Sequence, residues 1–119
     1  MRRLQSKSFA KPDRARNLGS GRVDLVDLDE TVVGRVTLPA GWRWSKDVRP
    51  VVQTVSCKTR HVSYAMGGIL HVAMDDGTEF DLRPGDVGMI APGHDAWTVG
   101  DEACVALDTT GVARYAKRD

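Results

Sequence analysis

Apolar and polar positions along this chain fall into short runs with β character, and no segment sustains a helical period. Val23–Val26 interrupts its apolar residues with Asp24, and Thr31–Leu38 is rich in β-branched side chains. Turn signals cut these runs at Gly19-Ser20-Gly21, Asp27–Glu30, Pro39-Ala40-Gly41, Gly67-Gly68, Asp75-Asp76-Gly77, Arg83-Pro84-Gly85-Asp86, Ala91-Pro92-Gly93 and Gly100-Asp101-Glu102. Asp76-Gly77, set between Ile69–Met74 and Thr78–Leu82, is the strongest hairpin signal. Strand starts recurring every ~8–12 residues predict an all-β sandwich or barrel with few or no helices. No internal linker marks a second domain.

Length and composition narrow the class. At 119 residues, 41% hydrophobic and 28% charged, the sequence suits one globular domain rather than a disordered chain. No run of eighteen apolar residues exists and no apolar segment follows Arg2 and Arg3, so we expect a cytoplasmic protein with no membrane partner. Cys57 and Cys104 are too few for a disulfide scaffold, leaving at most one bridge. The net charge of +1 hides an asymmetry: residues 1–22 carry seven basic side chains against Asp13 alone, about +6, and the rest of the chain about −5. That segment reads in three ways: a phosphate-binding stretch, a targeting peptide, or a solvated arm and first strand. Only Phe9 interleaves an aromatic ring among the charges, which favours the arm and argues against a nucleic-acid partner.

Two local patterns suggest a family. Gly85-Asp86-Val87-Gly88-Met89-Ile90-Ala91-Pro92-Gly93 reads as turn, buried strand and turn, and Tyr64-Ala65-Met66-Gly67-Gly68-Ile69-Leu70-His71-Val72 as a strand that bends at Gly68. Together they resemble the two signature motifs of the cupin superfamily, over about Val33 to Leu107. The implied fold is a single-domain double-stranded β-helix, or jelly-roll barrel. The arm sequence Phe9–Arg16 also looks like that of small bacterial single-domain cupins, as do Gly41–Ser45, Ser56-Cys57, His61, Met74–Glu79 and Pro92–Trp97. The Trp97 region is similar to ureidoglycine aminohydrolase-like cupins as well. The expected layout is an arm and first strand region over 1–22, a barrel over 23–112 and a short tail over 113–119.

The resemblance also implies where metal ligands would sit. Metal-binding cupins present two His and a Glu from the first motif and one His from the second. Counting from Gly68, the Glu position carries His61, the second His position Cys57 and the first His position Val55. The His position of the second motif carries Ala96, with His94 two residues upstream. Cys57 and His61 can still ligate; a third donor must come from His94, Glu79, Asp95 or the 45–56 loop. A thiolate and an imidazole suit a divalent transition metal such as Zn, Ni, Fe or Cu, and the departures from the ligand pattern leave a metal-free barrel equally open.

Period-two alternation places His61, Ser63 and Ala65 on one face, with Tyr64 opposite, and sets His71 on the outer side of Leu70, Val72 and Met74. Trp42 and Trp44 share a face by the same count, suggesting an aromatic wall with Trp97 as a third side, or else plain core packing. The expected ligand site is therefore Trp42, Trp44, Cys57, His61, Ser63, His94, Ala96 and Trp97, with His61 as catalytic acid or base and Cys57, His61 and His94 as metal ligands. Two functions stay open: a module binding a small organic molecule inside the barrel, or a small isomerase, cyclase or lyase. We also expect a homodimer in which Val23–Val26 pairs with a partner or caps its sheet.

Overall fold

The computed structural model describes residues 4–29 and 31–110, and the expected 113–119 tail lies outside them. Nine strands are present: β1 (Arg14–Leu18), β2 (Gly21–Leu28), β3 (Thr31–Leu38), β4 (His61–Gly67), β5 (Ile69–Met74), β6 (Glu79–Leu82), β7 (Val87–Ile90), β8 (His94–Val99) and β9 (Cys104–Thr110). Two one-turn helices, α1 (Trp44–Asp47) and α2 (Arg49–Val52), interrupt them after β3. The strands form a six-stranded sheet in the order β1-β2-β3-β9-β4-β7 and a three-stranded sheet in the order β6-β5-β8. Every pairing is antiparallel. The all-β jelly-roll expectation holds.

The core fills the space between the sheets, and it is drawn from alternate residues as a pleated strand requires. Val23 and Leu25 of β2, Val36 and Leu38 of β3, Ala65 of β4 and Cys104 and Ala106 of β9 face Leu70 and Val72 of β5, Leu82 of β6 and Ala96 of β8. Trp42 closes one end of this layer. Its side chain is buried and its indole Nε1 donates to the Leu18 carbonyl at 2.7 Å, so the ring's polar edge is satisfied where its body packs.

The Asp76-Gly77 hairpin forms as its residues dictate. The Gly77 amide donates to the Met74 carbonyl at 3.0 Å, that of Thr78 to the Asp76 carboxylate at 2.9 Å, and that of Met74 to the Thr78 carbonyl at 2.7 Å.

Three expectations need correction. First, Trp42 and Trp44 do not lie on one strand: the chain turns at Gly41 (φ 83°) and enters α1 at Trp44. A helix of four residues is too short to leave a period in the sequence. Second, Val23–Val26 has no free edge for a partner, because β2 is paired on both sides, by β1 and β3. The turn at Gly19-Ser20 folds the basic arm back as β1, so β1 and β7 end the larger sheet. Third, the expected boundary between residues 22 and 23 falls inside β2.

Gly68 is the corner at which the chain leaves the six-stranded sheet as β4 and enters the three-stranded sheet as β5. Its φ is 68°, and a Cβ there would run into the backbone carbonyl of Ala103. Gly77 has φ 91° but open space around it. Gly77→Ala should cost about 1–2 kcal/mol from backbone strain alone. Gly68→Ala should cost at least about 3 kcal/mol, because backbone must also move. Chemical denaturation of both variants checks the difference, and equal losses would contradict the steric role of Gly68.

Candidate metal centre

Three potential metal ligands meet at one end of the barrel interior. His61 opens β4, His94 opens β8, and Cys57 sits in the loop between α2 and β4. The loop is held by two backbone hydrogen bonds of 2.7 Å, from the Cys57 amide to the His94 carbonyl and from the Gly93 amide to the Cys57 carbonyl. The Ser56 hydroxyl adds a bond of 2.8 Å to the Asp75 carboxylate. One ligand atom from each of Cys57, His61 and His94 lies within 4.8 Å of the others, and all three residues are buried. The imidazoles meet edge to face, with centroids 5.5 Å apart and planes 69° from parallel.

The surrounding groups orient both rings. His94 Nδ1 donates to the Ala91 carbonyl at 2.7 Å, so Nε2 is the ring nitrogen left for another partner. His61 Nδ1 lies 2.5 Å from Asp108 Oδ2, while its Nε2 faces Cys57 Sγ at 3.8 Å. Asp108 is only 1% exposed. It does not figure among the residues the sequence pointed to, although Cys104, Ala106 and Asp108 alternate on one strand. A carboxylate in that inward register was the available signal.

These contacts decide the charge states. Burial pushes the Cys57 thiol up, but its hydrogen bonds to His61 and His94, with their charges, outweigh this and bring it down to about 6. Burial pushes His61 down, and the hydrogen bonds and charges of Asp108 and Cys57 more than reverse this, raising it to about 9. At neutral pH the pair is a thiolate and an imidazolium. Cys104, by contrast, has its thiol pushed up by burial to about 11 and stays neutral. Both cysteines are free.

The remaining sequence candidates separate cleanly. Ser63, Ala96 and Trp42 line an interior cavity of about 40 Å³ together with His61, His94 and Asp108. Trp44 is fully buried core packing and does not line that cavity. Trp97 is on the other face of β8 from Ala96, sandwiched between His71 (centroids 4.6 Å apart) and the Arg43 guanidinium (4.3 Å from its ring). Its place as a third pocket wall is therefore corrected. Of the other possible third donors, Asp95 accepts from the Ser45 amide and Arg43, and the exposed Glu79 lies beside His71 on the outer face. Val55 is 80% exposed in its loop. His71 is half-buried and bonded to Asp81 at 2.6 Å rather than free at the surface. The cavity holds roughly three waters, against roughly 300–1,000 Å³ for pockets that enclose drug-sized ligands. A flat organic molecule stacked on tryptophans does not fit inside.

Solved structures share this architecture. A protein of unknown function from Rhizobium leguminosarum superposes with a TM-score of 0.64 at 15% identity, covering 92% of this chain and 97% of its own. A cupin-like protein from Thermotoga maritima gives 0.54 at 19% identity, covering 92% and 80%. A cupin domain from Bordetella pertussis gives 0.53 at 17% identity, covering 80% and 95%. The fold is that of a cupin. No protein-family model matches the sequence, and no curated protein does. This barrel carries a Cys/His/His cluster at one end of its interior.

The paired charges give a pH dependence that can be measured on the metal-free protein. Cys57 titrates below its ordinary value of 9.0, so its contribution to stability is lost as pH falls through about 6. His61 titrates above 6.5, so its contribution is lost as pH rises through about 9. The two effects offset, because between about 6.5 and 9 the folded pair and the unfolded chain each hold one proton; the pair therefore leaves melting temperature nearly flat there, and its charge state is read from the thiolate. The thiolate ultraviolet band should appear with a midpoint near 6, be absent in Cys57→Ser, and shift to higher pH in Asp108→Asn. A midpoint near 9 would contradict the ion pair.

Proposed function

We propose that this chain is a small metal-binding cupin whose ligands are Cys57, His61 and His94, with room beside them for a ligand of only a few atoms. The observation that carries this reading is the convergence of the three buried side chains within 4.8 Å, with the Nδ1 atoms of both imidazoles already engaged by Asp108 and Ala91. Carboxylate or carbonyl support behind a ligating imidazole fixes its tautomer and strengthens it as a donor. The donor set itself fits a metal: one thiolate and two imidazoles suit zinc or copper by softness and geometry. Three protein ligands leave a position open, as at catalytic zinc sites. When bound, such a metal supplies Lewis acidity to a coordinated water or small molecule.

The chain's own residues then divide the work. Asp108 holds His61 in place and, in the metal-free protein, balances the charge of its imidazolium. Ile90, directly across from His61 in the β4–β7 pairing, closes the inner cavity, and on its far side is an outer cavity of about 240 Å³ also lined by Val72, Met74 and Phe80. An incoming ligand rests in that outer space, and only its smallest part passes Ile90. Ser63 and Thr98 are the inner-face hydroxyls that accompany the apolar lining.

A second reading rests on the Cys57–His61–Asp108 contacts themselves. Without metal, the 3.8 Å Sγ–Nε2 contact backed by Asp108 is a proton-transfer pair, as the isomerase, cyclase or lyase alternative requires.

Cobalt(II) titration of chelator-treated protein distinguishes the two. One equivalent should bind with a thiolate-to-cobalt absorption band that Cys57→Ser abolishes and His94→Ala weakens. Asp108→Asn should keep the band while lowering affinity about 10–100-fold. Uptake below about 0.1 equivalent by the intact protein would leave only the metal-free reading.

A further inference from the structure

Away from the barrel interior, a groove of about 520 Å³ runs between the N-terminal arm and the outer face of β2 and β3. The strand register sets Asp24 directly across from Arg35 and Arg22 across from Thr37. Asp24 is buried and accepts from Arg22 Nε at 2.6 Å and from Arg35 Nη2 at 3.3 Å. The three side chains leave one net positive charge on the floor. The Phe9 ring stands 5.1 Å from the Arg35 guanidinium carbon, and Ala10, Pro12 and Pro39 complete apolar walls.

One donor in this groove is unsatisfied. Arg35 Nε is buried and has no acceptor, the sole side-chain nitrogen or oxygen in that state among the described residues. Nε is itself covered, so Arg35 meets an incoming group only through the exposed part of its guanidinium. The planar guanidinium fork suits the oxygens of a carboxylate, and one of its Nη atoms is already shared with Asp24. The Arg35 side chain is 37% exposed, so part of it is open to an incoming group.

We propose that this groove binds a small organic monoanion, a carboxylate on a planar apolar body, with Arg35 taking the carboxylate and Phe9 covering the body. Its single net charge selects a monoanion, since a dianion meets Asp24 with only one uncompensated arginine. The volume lies within the roughly 300–1,000 Å³ of small-molecule sites, unlike the barrel interior. This site is independent of the metal centre: none of its lining residues belongs to the Cys57, His61 and His94 cluster.

Benzoate is the probe, followed by amide NMR shifts in the full chain, with benzamide and inorganic phosphate as comparisons. Saturable shifts are expected at Phe9, Arg35 and Thr37 with benzoate, unaccompanied by shifts at His61 or His94, and weakening with added salt. Arg35→Gln should bind at least about tenfold more weakly, and Arg35→Lys should recover only part of the loss. Phe9→Ala, which leaves the sheet untouched, should weaken binding as well and keeps the test decisive if the Arg35 variants unfold. No saturable shift up to about 10 mM benzoate would overturn the proposal. Equal binding by benzamide, or by both the Arg35→Gln and Phe9→Ala variants, would do the same. Phosphate binding as tight as benzoate would overturn the planar monocarboxylate.

Discussion

A carboxylate enclosed between two sheets has lost its water and must recover that loss from its neighbours, or the strand carrying it cannot stay in register. Asp108 stands in that position on β9, and His61 of β4 is its partner. The bond does more than satisfy a charge. It draws the proton of His61 to Nδ1, turns Nε2 toward Cys57, and sustains the positive charge that in turn keeps the Cys57 thiol ionised. Remove the carboxylate and His61 keeps only Cys57 against the effect of burial, which shifts both partners toward their neutral forms. The electrostatics of the site hang on one residue that touches neither sulfur nor cavity mouth.

Backbone geometry makes that chain of contacts possible. β4 and β9 are neighbours in the larger sheet, with Ser63 directly across from Asp108. β8 belongs to the smaller sheet, so His94 approaches from the opposite wall. Cys57 belongs to neither sheet; the Cys57–His94 bridge and the Ser56–Asp75 bond stitch its loop to the smaller one. The cluster therefore spans both layers, and any change in their separation alters it. Gly68, where the chain passes between the layers, directly follows the strand that His61 opens.

Much of this was legible from residue pattern. Thr31–Leu38 and Ile69–Met74 are strands with the bounds the alternation suggests, and Asp76-Gly77 turns where its residues demand. Cys57 and His61 entered as candidate donors by the count from Gly68 that the cupin resemblance implies, with His94 among four possible third donors, and the structure brings these three within 4.8 Å. What failed did so for identifiable reasons. Trp42 and Trp44 looked like neighbours on a strand, but two four-residue helices leave no periodic trace. Trp97 looked like a pocket wall, yet placing Ala96 inside already turns its neighbour outward. Asp108 went unnoticed because a lone acid near a strand end resembles a solvated one. Its alternation with Cys104 and Ala106 was the one sequence signal, and the pairing of β9 with β4 shows what it faces.

The charge split along the sequence has a local resolution. Lys7 pairs with Asp13, Arg14 with Asp27 and Arg22 with Asp24, all within the arm and the first hairpin. The first two pairs are partly solvated and contribute little to stability. They matter for position, because together with the bond from the Asp13 amide to the Leu25 carbonyl they lay the arm along β2. That placement sets Phe9 over Arg35 and converts an exposed sheet face into a walled groove. The positive head of the chain and the negative body are thus brought together by folding. Arg22 and Arg35 share Asp24 and so leave one net positive charge there, on the opposite side of the sheet from the buried imidazoles. The sheet has two chemically distinct faces: an inner one beside the buried thiol and imidazoles, and an outer one that carries Arg22, Asp24 and Arg35.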